Sequence, residues 1–364
     1  MLTLLPLDND NRVLKEIETI SNTGYDITVV SVNTKKKFLF NNLSVISTSK
    51  RLLGIPGLNK LFLIFKYFKL LPSNEKYHYI HCHDLDAFVL GCIYKLVYNK
   101  NASIIYDAHE YETERNGMSI FEKKIAKLLE AFFIKFADET ICVSDSIADE
   151  YVKLYKIKRP ILVLNTPKYY NVKKKDIFRK SLNIKTSKTI FLYQGGLVKG
   201  RGIEILLKVF KTLSNRNAVI VFMGYGELQK DIENESRYNE NIYFHNAVEP
   251  DVLLEYTSSA DFGFSTIEDI CLSYRYSLPN KMFEYMMAEV PLIVSNLPDM
   301  SKIVEDNEIG IVIKDNTVKG LKKAIQDALM LDKNILNYNI RKAKHIYNWE
   351  QQEIYLKTLY NNEV

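Results

Sequence analysis

SLPNKMFEYMMAEVPLIVSNLP, residues Ser277 to Pro298, runs from a loop through an amphipathic helix into an apolar strand, the repeating unit of a parallel α/β sheet. Pro279 suits the first helical turn, where its missing N–H costs nothing. Asn280 and Lys281 stand at the positive end of the helix dipole, and free N–H groups beside a cation grip phosphate. Glu284 falls one turn further in, where an acceptor-only carboxylate can take both hydroxyls of a ribose. The alternative is an ordinary amphipathic helix with Met282, Phe283, Met286 and Met287 in the core and Glu284 in solvent. The helix alone favours that alternative; the motifs around it reverse the balance.

Outward from this stretch, apolar runs of strand length alternate with segments of helical period along nearly the whole chain. In the first half, strands are predicted near Leu2–Leu5, Asp26–Ser31, Tyr79–Cys82, Ser103–Tyr106, Thr140–Val143 and Ile161–Leu164, and the pattern restarts at Thr189–Tyr193. At 364 residues the chain is too long for one ordinary core. Two doubly wound domains are expected, 1–168 and 169–348, with a last amphipathic helix, 349–364, packing back on the first. The polar, basic stretch Lys168 to Lys188 suits an interdomain linker, the other reading being a surface helix-loop within one domain.

Composition narrows the function classes. Hydrophobic residues at 47% and charged residues at 26% describe a globular protein without long disordered segments. A net charge of +5, from 49 basic against 44 acidic residues, is small for a nucleic-acid partner, and none is expected. No stretch reaches the roughly 20 apolar residues of a membrane span. The opening MLTLLPLDNDNR lacks a basic region and a long apolar run, so a cytoplasmic location is expected. Cys82, Cys92, Cys142 and Cys271 lack metal-ligand spacing, the histidines show no HExxH pattern, and no metal is expected.

YQGGLVKGRGIEILLKVF, Tyr193 to Phe210, places Gly195 and Gly196 in a turn, then Lys199 and Arg201 before a helix. Glycines let backbone approach phosphate, and a guanidinium clamps two oxygens. FMGYGELQ, Phe222 to Gln229, repeats the arrangement with Gly224 and Gly226. Ligands of open α/β sheets bind outside the carboxyl ends of strands, so these turns and the Pro279 helix are expected on one crevice. In the first half, HCHDLDA (His81 to Ala87) and IIYDAHEYETE (Ile104 to Glu114) each leave a strand with a polar cluster. His109 is the candidate there for hydrogen bonding a sugar hydroxyl or a developing charge, oriented by Asp107 and Glu110. His81 and His83 read as loop residues that close the domain.

Taken together and in order, YDAHE, ICVSDS (Ile141–Ser146), VLNTP (Val163–Pro167), YQGGLxxxRGIE, FMGYGE and SLPNKxFEYMxAxVPLIxS resemble the glycosyltransferase family 4 enzymes over almost the whole chain. The resemblance implies a GT-B fold, two Rossmann-like domains facing a central cleft, and a retaining hexosyltransferase that uses no metal or other cofactor. It implies that the second domain holds a nucleoside diphosphate sugar donor and the first the acceptor. By position, Glu284 matches the later glutamate of the family's E-x7-E motif and is assigned to ribose. Arg201 takes the place of a diphosphate-binding lysine, and His109 that of a histidine near the donor sugar. His109, Arg201 and Lys281 are thus the catalytic candidates; Gly195, Gly196, Lys199, Gly224, Gly226, Asn280 and Glu284 are the donor-binding ones. Two departures stand out: Tyr276 replaces the earlier glutamate, and Gly196 replaces a phosphate-binding arginine. Glu268, Asp269, Tyr274 and Arg275 are nearby substitutes for the lost carboxylate.

The implied reaction moves a sugar from the donor to a hydroxyl on a surface polysaccharide or lipid-linked glycan. A nucleotide-sugar 2-epimerase of the same fold and a non-catalytic partner of an active transferase are the alternatives. Two segments rich in lysine and apolar residues, Ser49 to Pro72 and Phe121 to Phe136, read either as core-facing helices with snorkelling lysines or as peripheral membrane contacts at the inner face. Neither sugar, base, acceptor, linkage nor oligomeric state is legible.

Overall fold

The computed structural model describes residues 1–36, 38, 40, 42–48, 66–71, 75–215 and 217–360. The chain divides into two compact units, one of Met1–Val163 with Glu353–Val364 and one of Leu164–Gln352. In the first, β1 (Ile27–Val32) pairs in parallel with β2 (Leu43–Thr48), and β3 (Tyr79–His83), β4 (Ser103–Ala108), β5 (Glu139–Cys142) and β6 (Ile161–Leu162) follow one another in parallel. The strand expected at Leu2–Leu5 shrinks to a bridge at Leu2, which joins Val30 to Cys82 and so stitches β1 to β3. Its N–H bonds the His81 carbonyl at 2.7 Å and its carbonyl accepts from the His83 N–H at 2.9 Å. Strand β2 was not anticipated, since the polar residues around Asn41 and Asn42 hide a short half-buried run.

The second unit contains β7 (Thr189–Gly196), β8 (Ala218–Tyr225), β9 (Ile242–Asn246), β10 (Phe262–Ser265), β11 (Leu292–Ser295) and β12 (Gly310–Ile313). All pairings are parallel, in the order β12-β11-β10-β7-β8-β9. The order reverses direction between β10 and β7, the switch point where helices diverge to opposite faces and leave a crevice at the strand ends. Met282, Phe283, Tyr285 and Met286 cover one face, while Ile203, Leu206, Phe210 and Ile325 cover the other, all fully buried.

Lys168 to Lys188 belongs to the second unit and is not a free linker. A short helix, Ile177–Ser181, buries Phe178 in that unit's core, and Lys175 and Ile177 donate their N–H groups to Ser258 and Ser259. One apolar anchor in a basic stretch is enough to dock it, and composition averages that anchor away. In the first unit Tyr360 seats its ring among Tyr25 and Tyr79 and takes Nδ1 of His81 at 2.6 Å. Ser49 to Pro72 lies outside the described residues except for 66–71, where Tyr67 and Leu71 are buried. Among the described residues, no helix is long and apolar enough to cross a membrane.

Candidate functional site

In the second unit the expected residues gather at the switch point. β7 ends on Gly195, with φ of +107°, and Gly196. A Cβ at Gly224, on the neighbouring end of β8, would stand 1.9 Å from the Gly195 carbonyl oxygen, so only glycine lets the two strand ends lie this close. Gly226 likewise faces the Leu197 backbone, and both glycines are thereby accounted for by strand packing. Gly196 is different: a Cβ there would meet nothing within 4 Å, so the missing arginine leaves open space.

The helix Asn280–Met287 starts one residue later than expected, with Pro279 as its N-cap and Asn280 exposed at its first position. One turn of helix turns Lys281 inward over the glycine turn. Its Nζ lies 3.7 Å from the Tyr193 ring centroid and 3.7 Å from where a Gly195 Cβ would be. The ring's negative face steadies a cation that has lost most of its water. Burial, and then the Arg201 guanidinium, push the Lys281 ammonium down to about 7, with Glu284 opposing them. Arg201 itself lies over the Tyr274 ring, 4.6 Å from its centroid.

The loop after β10 holds this corner together. Thr266 Oγ1 donates to the Arg201 carbonyl at 3.1 Å, and the Glu268 N–H donates to the Gly200 carbonyl at 3.0 Å. Position 202, with φ of +76°, needs glycine, since a side chain there would collide with Thr266. Of the substitutes considered for the lost glutamate, Tyr274 is engaged by Arg201, and Asp269 is paired with Arg275 at 3.1 Å. Tyr276 closes the short helix Leu272–Arg275 as its C-cap. Lys199 is exposed on the turn, its N–H on Glu227. A cavity of about 640 Å³ at the ends of β10 to β12 is lined by Glu204, Glu268, Asp269 and Asn296, away from Lys281 and Glu284.

Glu284 is half-buried and accepts from Gln194 Nε2 at 2.6 Å, while Gln194 Oε1 accepts from Thr257 at 2.8 Å. Gln194 therefore fixes the carboxylate's orientation. Sequence gave no sign of this, because Gln194 precedes the glycines as an apparently ordinary strand residue.

The first unit presents a separate buried polar cluster at the ends of β3 and β4. Asp107 is forked by Arg12, with Nε to Oδ2 at 3.0 Å and Nη2 to Oδ1 at 2.8 Å, and it also takes His109 Nε2 at 3.1 Å. Burial works against its charge, but Arg12 and then His109 hold it well below the usual carboxylate range. Glu16, 3.0 Å from Arg12 Nε, is held well above that range, first by burial and then by Asp107, with Arg12 opposing. Glu16, His81, His83 and Asp107 bring one donor atom each within 4.8 Å of one another, a grouping missed because helix and strand supply it from distant positions. The Arg12 guanidinium already fills the positive place among these carboxylates, and a divalent ion would have to displace it.

His109 contacts both Asp107 and Asp84, whose Oδ1 lies 3.7 Å from Nδ1. Glu110, the other expected orienting residue, instead points to Arg115 at 3.8 Å. β3 ends at His83 and a helix begins at Asp84 with no loop between, so Asp84 makes the reversal alone, at φ of +66°. For a residue with a side chain this costs about 1–3 kcal/mol. His81 and His83 are buried members of the same cluster; His83 Nδ1 lies 3.1 Å from His109 Nε2.

The Glycosyltransferase Family 4 model matches residues 11–167, and the model for glycosyl transferases group 1 matches residues 174–345. The chain belongs to the family 4 glycosyltransferases. Two uncharacterized glycosyltransferases of Methanocaldococcus jannaschii are similar to it. One is 23% identical over 294 residues, covering 76% of this chain and 73% of the relative, and the other is 23% identical over 288 residues, covering 72% and 69%. Sucrose-phosphate synthase from Thermosynechococcus elongatus superposes with a TM-score of 0.78 at 18% identity, over 96% of this chain and 91% of that one. Anabaena HepE, solved with UDP and glucose, gives 0.75 at 14% identity over 100% and 98%. These likenesses establish the GT-B fold of this family 4 glycosyltransferase; its donor and acceptor are matters for its own residues.

Proposed function

We propose that this glycosyltransferase transfers a hexose from a nucleoside diphosphate sugar to a hydroxyl, retaining anomeric configuration and using no metal cofactor. The observation that carries the reading is Lys281 over the Gly195 turn at the start of the Asn280–Met287 helix, with Arg201 near enough to bear on its charge. Two cations and a helix dipole, partly out of water, stabilise a departing diphosphate more than they stabilise the intact donor. Glu284, one turn deeper, takes the ribose hydroxyls, and the family resemblance assigns His109 to the sugar. The first test is a thermal-shift screen over nucleoside diphosphates and their sugars. A ligand at a hundred times its Kd adds about 2.7 kcal/mol to stability. Release of the diphosphate should then require an acceptor; conversion of the donor to its 2-epimer with no net release points to epimerisation, and no binding by any of them defeats the reading.

Glu284→Ala is expected to weaken nucleotide binding by roughly 1–3 kcal/mol, the cost of losing charge-assisted hydrogen bonds. Gln194→Ala should produce a smaller loss through the same carboxylate. Calorimetry showing parent affinity in Glu284→Ala would remove the ribose assignment.

The acceptor is read as a glycan or its lipid-linked precursor, met at the inner membrane face, and the helix Ile120–Phe133 supports that reading. Its inward side holds only Ala126 and Glu130, the latter taken by the hydroxyls of Tyr106, Tyr151 and Tyr155 at 2.6 Å each. Ile120, Phe121, Leu128 and Phe132 face outward, with Phe121 and Leu128 each 71% exposed. A core-facing helix would bury these side chains, so the outward face of Ile120–Phe133 favours the peripheral reading for this stretch. Apolar residues pointing to solvent beside Lys124 and Lys127 suit an anionic lipid surface, which attracts each nearby basic residue by about 1 kcal/mol. The chain is expected to float with anionic vesicles at low salt and to be released as salt rises. Replacing Phe121, Leu128 and Phe132 by serine should abolish flotation without unfolding; a parent protein that stays in the soluble fraction refutes the contact.

A further inference from the structure

His109 has a carboxylate at each ring nitrogen, Asp107 Oδ2 at 3.1 Å from Nε2 and Asp84 Oδ1 at 3.7 Å from Nδ1. A neutral imidazole has only one N–H, so one of these contacts would then set a lone pair against a carboxylate oxygen. With both nitrogens protonated, both contacts become attractive. His83 Nδ1 lies 3.1 Å from His109 Nε2 and 3.3 Å from the same Asp107 Oδ2, so the two rings share that carboxylate. Asp84 reaches its place by a left-handed backbone, and its Oδ1 is buried with no hydrogen bond of its own. Besides His109 it bears on Glu112 and Arg115, and it stands in the first turn of the helix Asp84–Tyr98.

We propose that Asp84 is a positioning residue which, together with Asp107, keeps His109 doubly protonated, so that His109 works as a fixed cation and hydrogen-bond donor and never as a proton acceptor. The charged and titratable groups around the ring bear this out. Arg12 opposes the charge and burial opposes it more strongly, yet Asp84 first and Asp107 second outweigh them and hold the imidazolium at about 9. Glu16, from the first helix, and Glu112, beyond Asp84, are both pushed up by burial and then by Asp107 and Asp84 respectively. Arg115 lies behind Glu112 at 3.5 Å. A cation of this kind suits electron-rich oxygens, those of a sugar hydroxyl or of a phosphate that gains charge as its bond to the sugar breaks. The assignment of a catalytic use rests on the proposed function, whereas the protonation state does not.

The experiment separates the two. In the full chain with labelled histidines, the His109 resonance, identified by its loss in His109→Gln, is titrated by NMR. The parent ring should stay protonated through neutrality and titrate near 9; in Asp84→Asn, which keeps both the shape and the tolerance for left-handed backbone, proton affinity should fall at least tenfold. A His109 that is neutral at pH 7 in the parent, or that titrates identically in Asp84→Asn, overturns the proposal, and the parent titration decides alone if the variant does not fold. In turnover, the alkaline limb of the kcat profile should move to lower pH in Asp84→Asn, with KM for the donor unchanged. A moved resonance beside an unmoved kcat profile upholds the positioning role and instead defeats the placing of His109 at the sugar.

Discussion

Arg201→Ala is expected to lower turnover by about 10²–10³-fold, the loss typical of one preorganised group aimed at developing charge. The guanidinium lies over the Tyr274 ring at 4.6 Å, and the residue's backbone is fixed by Thr266 at its carbonyl. It therefore need not reorganise as the diphosphate leaves. Gly196, with open space where the motif resemblance implies an arginine, leaves Arg201 without a second guanidinium on that reading, which raises the share it bears. Arg201→Lys should retain part of the rate, since an ammonium keeps the charge but not the two-pronged geometry or the ring stacking. The comparison that matters is kcat against donor affinity: a loss confined to affinity would mean uniform binding, and parent turnover in Arg201→Ala would place the clamp elsewhere. Gly196→Arg is the matching gain, expected to fold and to recover part of what Arg201→Ala loses.

The affinity for a nucleoside diphosphate sugar is expected to fall as pH rises above 7, by up to about tenfold per pH unit, through Lys281. Its folded pKa is lowered to about 7 by burial and by Arg201, from an ordinary value of 10.5. A bound diphosphate restores the charged form, so binding between pH 7 and the bound-state value must take up a proton. Affinity declines by at most about 1.4 kcal/mol per pH unit over that window. Stability of the unliganded protein changes in the opposite direction. Unfolded Lys281 binds more protons than folded Lys281 between about 7 and 10.5, so the cost of burying it is full below 7 and is relieved as pH rises. Calorimetry in buffers of different ionisation enthalpy should register proton uptake near pH 8 in the parent and none in Lys281→Met, which should also bind more weakly. Binding without proton uptake would show that Lys281 is already charged, or is not at the phosphates.

Hydrophobic period and glycine-bearing strand ends are local signals, and they made the α/β alternation, the glycine turns and the Asn280–Met287 helix readable directly. The ordered motifs made the family readable as well. What failed was whatever depended on one side chain against a distant partner. Lys168 to Lys188 looked like a linker because its charge outweighs Phe178, the one residue that docks it. The Phe121 helix stayed open between two readings because composition cannot say which stripe faces in, and a buried Glu130 held by tyrosines of other elements sets that choice.

The sequence by itself determined that two parallel α/β units would form and that glycine, cation and helix start would meet at strand ends, since each follows from residues a few positions apart. Only the tertiary structure decided the charges. Burial and opposing neighbours set protonation, and those neighbours come from anywhere in the chain: Arg201 bears on Lys281, and Asp84 and Arg12 bear on His109. A charge costs little in water and much in a protein interior, so the state of each group is a property of its packed surroundings and not of its neighbours in sequence.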